Sequence, residues 1–232
     1  MRQRNTPARN HPAARATTVV ALANRVAVIS DVHANWHALE AVLAAVDAEQ
    51  PDELWCLGEL TVSDFNDEAA AAAVWTSKTL TDESRTFLRG LEPKAEADGV
   101  ELFHASARDP VWEYVLSEEA AHATFELTSS PLVLVGHSHV PLALALAGGT
   151  LGGGLAPDAT EAELGTGARL LLNSGSVGQP RDGDPRAAWL LLDFAEGRAS
   201  FRRVAYPVEK AQAEIRERGL PHALAERLAR GV

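Results

Sequence analysis

Apolar residues along this chain fall into two patterns, short unbroken runs and spaced stripes, and the two alternate through the first half. Residues 25–30 read Arg-Val-Ala-Val-Ile-Ser, a run without alternation, as expected of a strand covered on both faces. Asn35 then stands where a helix cap is wanted, with Trp36, Leu39, Leu43 and Val46 on one face at helical spacing. A second strand is expected at 54–57, giving a strand–turn–helix–strand opening. Helices are expected over 67–79 and over 82–91, the latter behind a Thr81 cap with acids in its first turn. A strand at 100–103, a helix over 110–125 and a fourth strand at 132–135 follow. Beyond them the pattern turns to β: 142–147, 169–172, and a hairpin of 187–194 with 199–206 around Glu196-Gly197. Helices at 208–218 and 222–230 are separated by Gly219 and Pro221. The glycine-rich stretch 148–167 is expected to be a mobile surface loop.

The first four strands each run into a polar end: Asp31 and His33, then Glu59, then His104, then His137 and His139. If the four are parallel strands of one sheet, their carboxyl ends share an edge, where such sheets place ligands. Residues i and i+2 of a strand point to one side, so Asp31 with His33, and His137 with His139, are each expected to aim at one point. Imidazole and carboxylate without thiolate suit a divalent first-row metal used for hydrolysis. A lone histidine would be read as a hydrogen-bonded core or surface residue, and His11, His37, His122 and His222 are read that way.

Composition narrows the partners. The 232 residues are enough for one large domain, and 46% hydrophobic content supports a sizeable core. Thirty-two acids against 21 bases give a net charge of −11, which argues against general nucleic-acid binding, because phosphate backbones need a basic footprint. A small phosphorylated substrate remains compatible, since bound metal ions reverse the local field. No apolar run approaches the ~20 residues of a membrane span. Residues 1–24 carry four arginines and no acid and are expected to form a disordered basic tail ahead of a domain over 25–232. The single cysteine, Cys56, lies in a strand-like run and is expected to be a buried, reduced thiol, as in a reducing cytoplasm.

The ordered set of motifs resembles the calcineurin-like metallophosphoesterases, in their small bacterial phosphodiesterase branch. Asp31-Val32-His33 matches an Asp-x-His motif, and Gly58-Glu59 stands where Gly-Asp is expected. His104-Ala105-Ser106 is similar to a strand-end His-Gly-Ser, and Gly136-His137-Ser138-His139 to Gly-His-x-His. Residues 172–185 are similar to the branch's Asn-Pro-Gly-Ser-Val-Gly-Gln-Pro-Arg loop. The resemblance covers about residues 25–230. It implies an α/β fold of two sheets flanked by helices, α/β/β/α. It also implies one or two divalent ions per chain (Mn, Fe, Ni or Zn): Asp31, His33, Glu59 and His139 around one, and Glu59, His104 and His137 around the other. Glu59 would lie between the two. The implied activity is hydrolysis of a phosphomonoester or phosphodiester by metal-activated water.

Two departures qualify this expectation. Glu59 is one methylene longer than the aspartate of the family pattern. The family's Gly-Asn-His-Asp motif, which supplies an asparagine ligand and a histidine for the phosphoryl group, has no counterpart, because no histidine occurs between Glu59 and His104. A strand and helix are missing there, and Asp64 or Asn66 is the available substitute. Impaired hydrolysis is therefore expected, with a degenerate metal- or phosphate-binding regulatory module as the alternative and a deletion confined to the gene record as a third. Arg181 is expected to bind substrate phosphate, and Arg108 to do so or to form a surface ion pair. Residues 173–178 are expected to pack beside the ligands and hold His139. Trp112 and Tyr114 are read as helix-core residues. Oligomeric state is left open.

Overall fold

The computed structural model describes residues 23–58 and 67–232. Glu59, Asp64, Asn66 and residues 1–22 of the expected tail lie outside the described residues. In chain order the elements are β1 (Arg25–Ile29), α1 (Trp36–Glu49), β2 (Glu53–Cys56), α2 (Asp67–Thr79), α3 (Asp82–Arg89), β3 (Lys94–Ala97), β4 (Val100–Phe103), α4 (Glu118–Leu127) and β5 (Leu132–Val135). They continue with β6 (Leu142–Ala147), β7 (Thr150–Leu155), β8 (Glu161–Glu163), β9 (Arg169–Asn173), β10 (Ala187–Asp193), β11 (Arg198–Val204), α5 (Val208–Glu217) and α6 (His222–Leu228).

The strands form two sheets, ordered β2-β1-β10-β11-β8 and β3-β4-β5-β9-β6-β7. The unbroken apolar runs explain the stacking. Val26 and Val28 of β1 face the interior with Leu190 and Leu192 of β10, against Leu132 and Leu134 of β5 and Leu170 and Leu172 of β9. The alternate residues Ala27 and Ile29 pack with Trp189 and Leu191 under Ala38, Val42 and Val46 of α1. On the opposite outer face Val133, Val135 and Leu171 meet Phe125 and Ala121 of α4. Both faces of each central strand are thus dry, and four layers, α/β/β/α, result.

The expectation of one parallel sheet is corrected. β1 and β2 are parallel in the first sheet, while β4, β5 and β9 are parallel in the second. Antiparallel β10 takes the free side of β1, so β4 and β5 have no place there. The site is instead built where the carboxyl ends of two sheets meet.

Several elements differ from their expected form. The helix over 110–125 begins only at Glu118, where Ser117 Oγ accepts from Ala120 N at 3.1 Å. Ahead of it Asp109 Oδ1 accepts from Val111 N and Trp112 N, both at 3.1 Å, and this Asx turn competes with helix. The stretch 148–167 contains β7 and β8. Of its glycines Gly153 serves close packing, because a Cβ there would lie 2.1 Å from the Ala143 carbonyl oxygen. β3 was not expected; it is a short, charged, exposed edge strand, which discourages further pairing. Cys56 is exposed, not buried, because β2 is the edge of its sheet and only Trp55 points inward.

Asn35 caps α1 as expected, its Oδ1 accepting from Ala38 N at 3.2 Å. The buried stripe of that helix is Ala38, Val42 and Val46, and Trp36 is exposed. His37 is structural: its Nε2 lies 2.8 Å from Glu214 Oε1 and ties α1 to α5. Among the described residues no helix is long and apolar enough to cross a membrane.

Candidate metal centre

Asp31 and His33 follow β1, and His137 and His139 follow β5, but none of the four is in a strand. Asp31, His33, Ala34, His137 and His139 all have left-handed backbones, with φ of 54°, 51°, 53°, 63° and 61°. Each such non-glycine residue costs about 1–2 kcal/mol, a strain that concentrates at functional sites. It also turns the chain between successive side chains, so the i, i+2 rule of strands does not apply.

The loop after β9 holds this strained backbone. Val177 N and Gly178 N donate to the carbonyls of Ser30 and Asp31, each at 3.0 Å, and Ser176 Oγ donates to the Asp31 carbonyl at 2.8 Å. Asn173 Nδ2 donates to the Gly136 carbonyl at 2.8 Å and to Ser138 Oγ at 3.0 Å, while its Oδ1 accepts from Gly175 N at 2.8 Å. Gly136 has no room for a side chain: a Cβ would lie 2.1 Å from Ser30 Oγ and 3.0 Å from Asp31 Oδ2. Residues 173–178 therefore secure both ligand turns, where His139 alone was expected. Asn173→Ala is expected to weaken metal binding about 10- to 100-fold, as loss of an orienting group does. Competition with a chelator of known affinity measures it.

The candidate ligands form two groups, Asp31 with His33 and His139, and Asp31 with His104 and His137. In each, one ligand atom per residue lies within 4.8 Å of the others. Asp31 is common to both. Asp31 and His33 do share one point; His137 and His139 do not, and serve different groups. His33 Nε2 and His139 Nε2 are 3.0 Å apart, His104 Nε2 and His137 Nδ1 3.1 Å, and His139 Nε2 and Asp31 Oδ1 3.3 Å. Asp31 Oδ2 accepts from Ser30 Oγ at 2.6 Å and from His137 N at 2.9 Å. Glu59, expected between the groups, lies outside the described residues.

This donor set fits a divalent cation. His139 Nδ1 donates to the Gln179 carbonyl at 2.6 Å, leaving Nε2 as a lone pair directed at Asp31 and His33. His137 Nε2 donates to the Trp112 carbonyl at 3.2 Å, so Nδ1 presents its lone pair to His104. Burial, reinforced by the neighbouring histidine charges, lowers the pKa of His33 well below the usual range and that of His137 to about 4. Burial also lowers that of His104, partly offset by Asp31 and the backbone of Leu57 and Gly58. Burial opposes ionisation of Asp31, but His139, His104 and His33 outweigh it and hold its carboxyl well below the ordinary range. Neutral imidazoles around an ionised carboxylate are the forms that bind metal.

The loop from His104 to Tyr114 closes one side. Arg108 is ion-paired to Glu113 and Glu119, and Glu113 Oε2 accepts from Ser106 Oγ at 2.5 Å. Arg108 thus braces this loop and is not available to substrate. Tyr114 is no core residue: it is 45% exposed, and its ring stacks on His137 with centroids 4.3 Å apart and planes 9° from parallel. Arg181 is half-buried beside it, and its backbone N donates to the His139 carbonyl at 3.4 Å. Sequence reasoning missed the role of Ser30 and the placement of Tyr114. Ser30 bonds its own neighbour Asp31 but carries no motif signal, and Tyr114 meets His137 and Arg181, both distant in the chain.

Comparison with known proteins agrees with this geometry. The family model described as the calcineurin-like phosphoesterase superfamily domain matches residues 25–197. A metallophosphoesterase from Sphaerobacter thermophilus of known structure is 34% identical, with a TM-score of 0.78, covering 90% of this chain and all of that one. An uncharacterised protein of Methanocaldococcus jannaschii is 29% identical over 245 residues, covering 89% of this chain and 98% of its own length. That span exceeds this chain's 232 residues, so the relative carries segments that this chain lacks. A hypothetical protein from Pyrococcus horikoshii OT3, 16% identical with a TM-score of 0.67 and coverage of 90% and 98%, shares the fold. With a family match over most of its length and the ligand motifs in order, the chain belongs to the calcineurin-like phosphoesterase superfamily.

Proposed function

We propose that this protein is a metal-dependent phosphoesterase that hydrolyses a small phosphomonoester or phosphodiester. The observation that carries the reading is the pair of Asp/His groups joined through Asp31, inside a fold of this family. Asp31, His33 and His139 would hold one divalent ion and Asp31, His104 and His137 the other, with Glu59 as a further candidate donor. Mn, Fe, Ni or Zn suits these donors. Bound there, such ions would act as Lewis acids toward a phosphoryl oxygen and render water nucleophilic near neutral pH.

The chain's own groups supply the rest. Ser30 Oγ and His137 N hold Asp31 Oδ2, so the shared carboxylate keeps one orientation without rearrangement during the reaction. The lowered pKa values keep His33, His104 and His137 neutral at physiological pH, so no proton competes for their lone pairs. Arg181 brings a cation into a site otherwise rich in acceptors and meets the negative phosphoryl group.

Turnover is expected to fall below that of relatives with a histidine between the second and third ligand motifs, because this chain has none there. The same absence favours the second reading, a degenerate module that binds metal or phosphate without hydrolysis. Purified protein loaded with manganese is expected to cleave bis-p-nitrophenyl phosphate, to lose the activity on chelation and to regain it on metal addition. Elemental analysis should find one or two ions per chain. Metal binding without turnover would favour the module; no metal at all would refute both readings.

A further inference from the structure

Arg181 is the cation placed to meet substrate, and its donors are underused. Nη2 donates to Gln179 Oε1 at 2.9 Å, and Nη1 reaches Tyr114 Oη at 3.5 Å. Nε is buried without a hydrogen-bond partner. Among the described residues Arg181 pairs with no carboxylate, whereas Arg108, Arg186 and Arg203 are each bound to acids. A guanidinium with spare donors and, among the described residues, no carboxylate partner, carried on a backbone whose N–H donates to the His139 carbonyl, is suited to an anion.

Tyr114 shares that position. Its flat stack on His137 fixes the direction of the phenol, and the loop beneath is rigid: the Arg108–Glu113–Ser106 chain braces it, and the Trp112 carbonyl ties it to His137. The hydroxyl accepts from Arg181, which leaves its proton free to donate elsewhere. Tyr114 therefore spans from His137 of one ligand group to Arg181, which is hydrogen-bonded through its backbone to His139 of the other. Its 45% exposure leaves the hydroxyl open to a ligand.

We infer that Tyr114 and Arg181 form a substrate clamp, in which the phenol and the guanidinium donate hydrogen bonds to oxygens of one phosphoryl group held at the Asp/His centre. The assignment rests on the proposed phosphoesterase reading and deepens it: Tyr114 is a neutral donor in a chain with no histidine between Glu59 and His104. The clamp requires a ligand with an anionic phosphoryl end and does not depend on the leaving group.

Binding separates the clamp from catalysis. Manganese-loaded wild-type protein and the Tyr114→Phe, Arg181→Gln and double variants would be titrated with inorganic phosphate by calorimetry, after metal content is measured for each. Tyr114→Phe keeps the ring on His137 and removes only the hydroxyl. It is expected to bind phosphate about 10- to 100-fold more weakly with metal content unchanged, the effect of one hydrogen bond to a charged partner. Arg181→Gln is expected to weaken binding by about 10-fold or more, and the double variant by less than the product of the two. Phosphate affinity unchanged in Tyr114→Phe at full metal content would overturn the clamp, as would wild-type protein that holds metal but no phosphate. Phosphate binding without turnover would sustain the clamp and refute the hydrolase reading, so the two failures are distinguishable.

Discussion

The Asp31→Asn protein is expected to lose metal at both ligand groups, not one. Its carboxylate is common to the two sets, so a single change removes the anionic donor from each. The expected loss of affinity exceeds the about 10- to 100-fold typical of residues that only orient a ligand. Hydrolysis should fall by at least about 1,000-fold, corresponding to several kcal/mol of charge stabilisation. Asparagine tolerates the left-handed backbone that Asp31 adopts, and its Oδ1 can still accept from Ser30 and His137. The metal-free variant should therefore unfold within a few degrees of metal-free wild type. Elemental analysis, turnover and thermal melts with chelator check the three parts. A variant with the full metal complement would refute the shared role of Asp31.

Gly178→Ala is expected to be the most damaging small substitution in the chain. A Cβ there would lie 1.8 Å from the Val32 carbonyl oxygen and 2.5 Å from its carbon, both backbone atoms that no rotamer change can move. Gly178 also donates its N–H to the Asp31 carbonyl and accepts at its own carbonyl from Asn35 Nδ2 at 2.9 Å. Displacing it disturbs the ligand turn and the cap of α1 together. About 3 kcal/mol or more of destabilisation is expected, which for a chain of this size lowers the melting temperature by roughly 6–12 °C. Gly152→Ala on β7, where the new methyl meets nothing within 4 Å, is the control and should stay within about 1 kcal/mol of wild type.

These two sites show what could and could not be read from the residue order. The strand ends carrying Asp31, His104, His137 and His139 were legible because unbroken apolar runs announce buried strands and polar residues at their ends have few other reasons to be there. Asn35 was legible as a cap because capping is local. The pairing of His137 with His104, and of His139 with His33, followed from the family resemblance. The strand rule alone pointed elsewhere, since it assumed extended geometry where the chain is left-handed. Gly178 stood within a recognised motif, but its reason lies in a contact with Val32, far away in the chain. Trp112 and Tyr114 were misread because the Asx turn at Asp109 stops the helix short of them. Cys56 was misread because edge and centre strands share a local pattern.

By itself the sequence determined the donor chemistry of this protein: carboxylate and imidazole at the ends of apolar strands, no thiolate among them, and no histidine between Glu59 and His104. Side-chain chemistry is a property of each residue and survives any fold. Only the tertiary structure decided which donors meet, that Asp31 serves both groups, and that Tyr114 and Arg181 stand together at their side. Those outcomes depend on two sheets bringing their strand ends together and on a loop after β9 holding strained turns more than 30 residues away. Long-range contacts set such geometry, and a residue's neighbours in sequence carry no record of them.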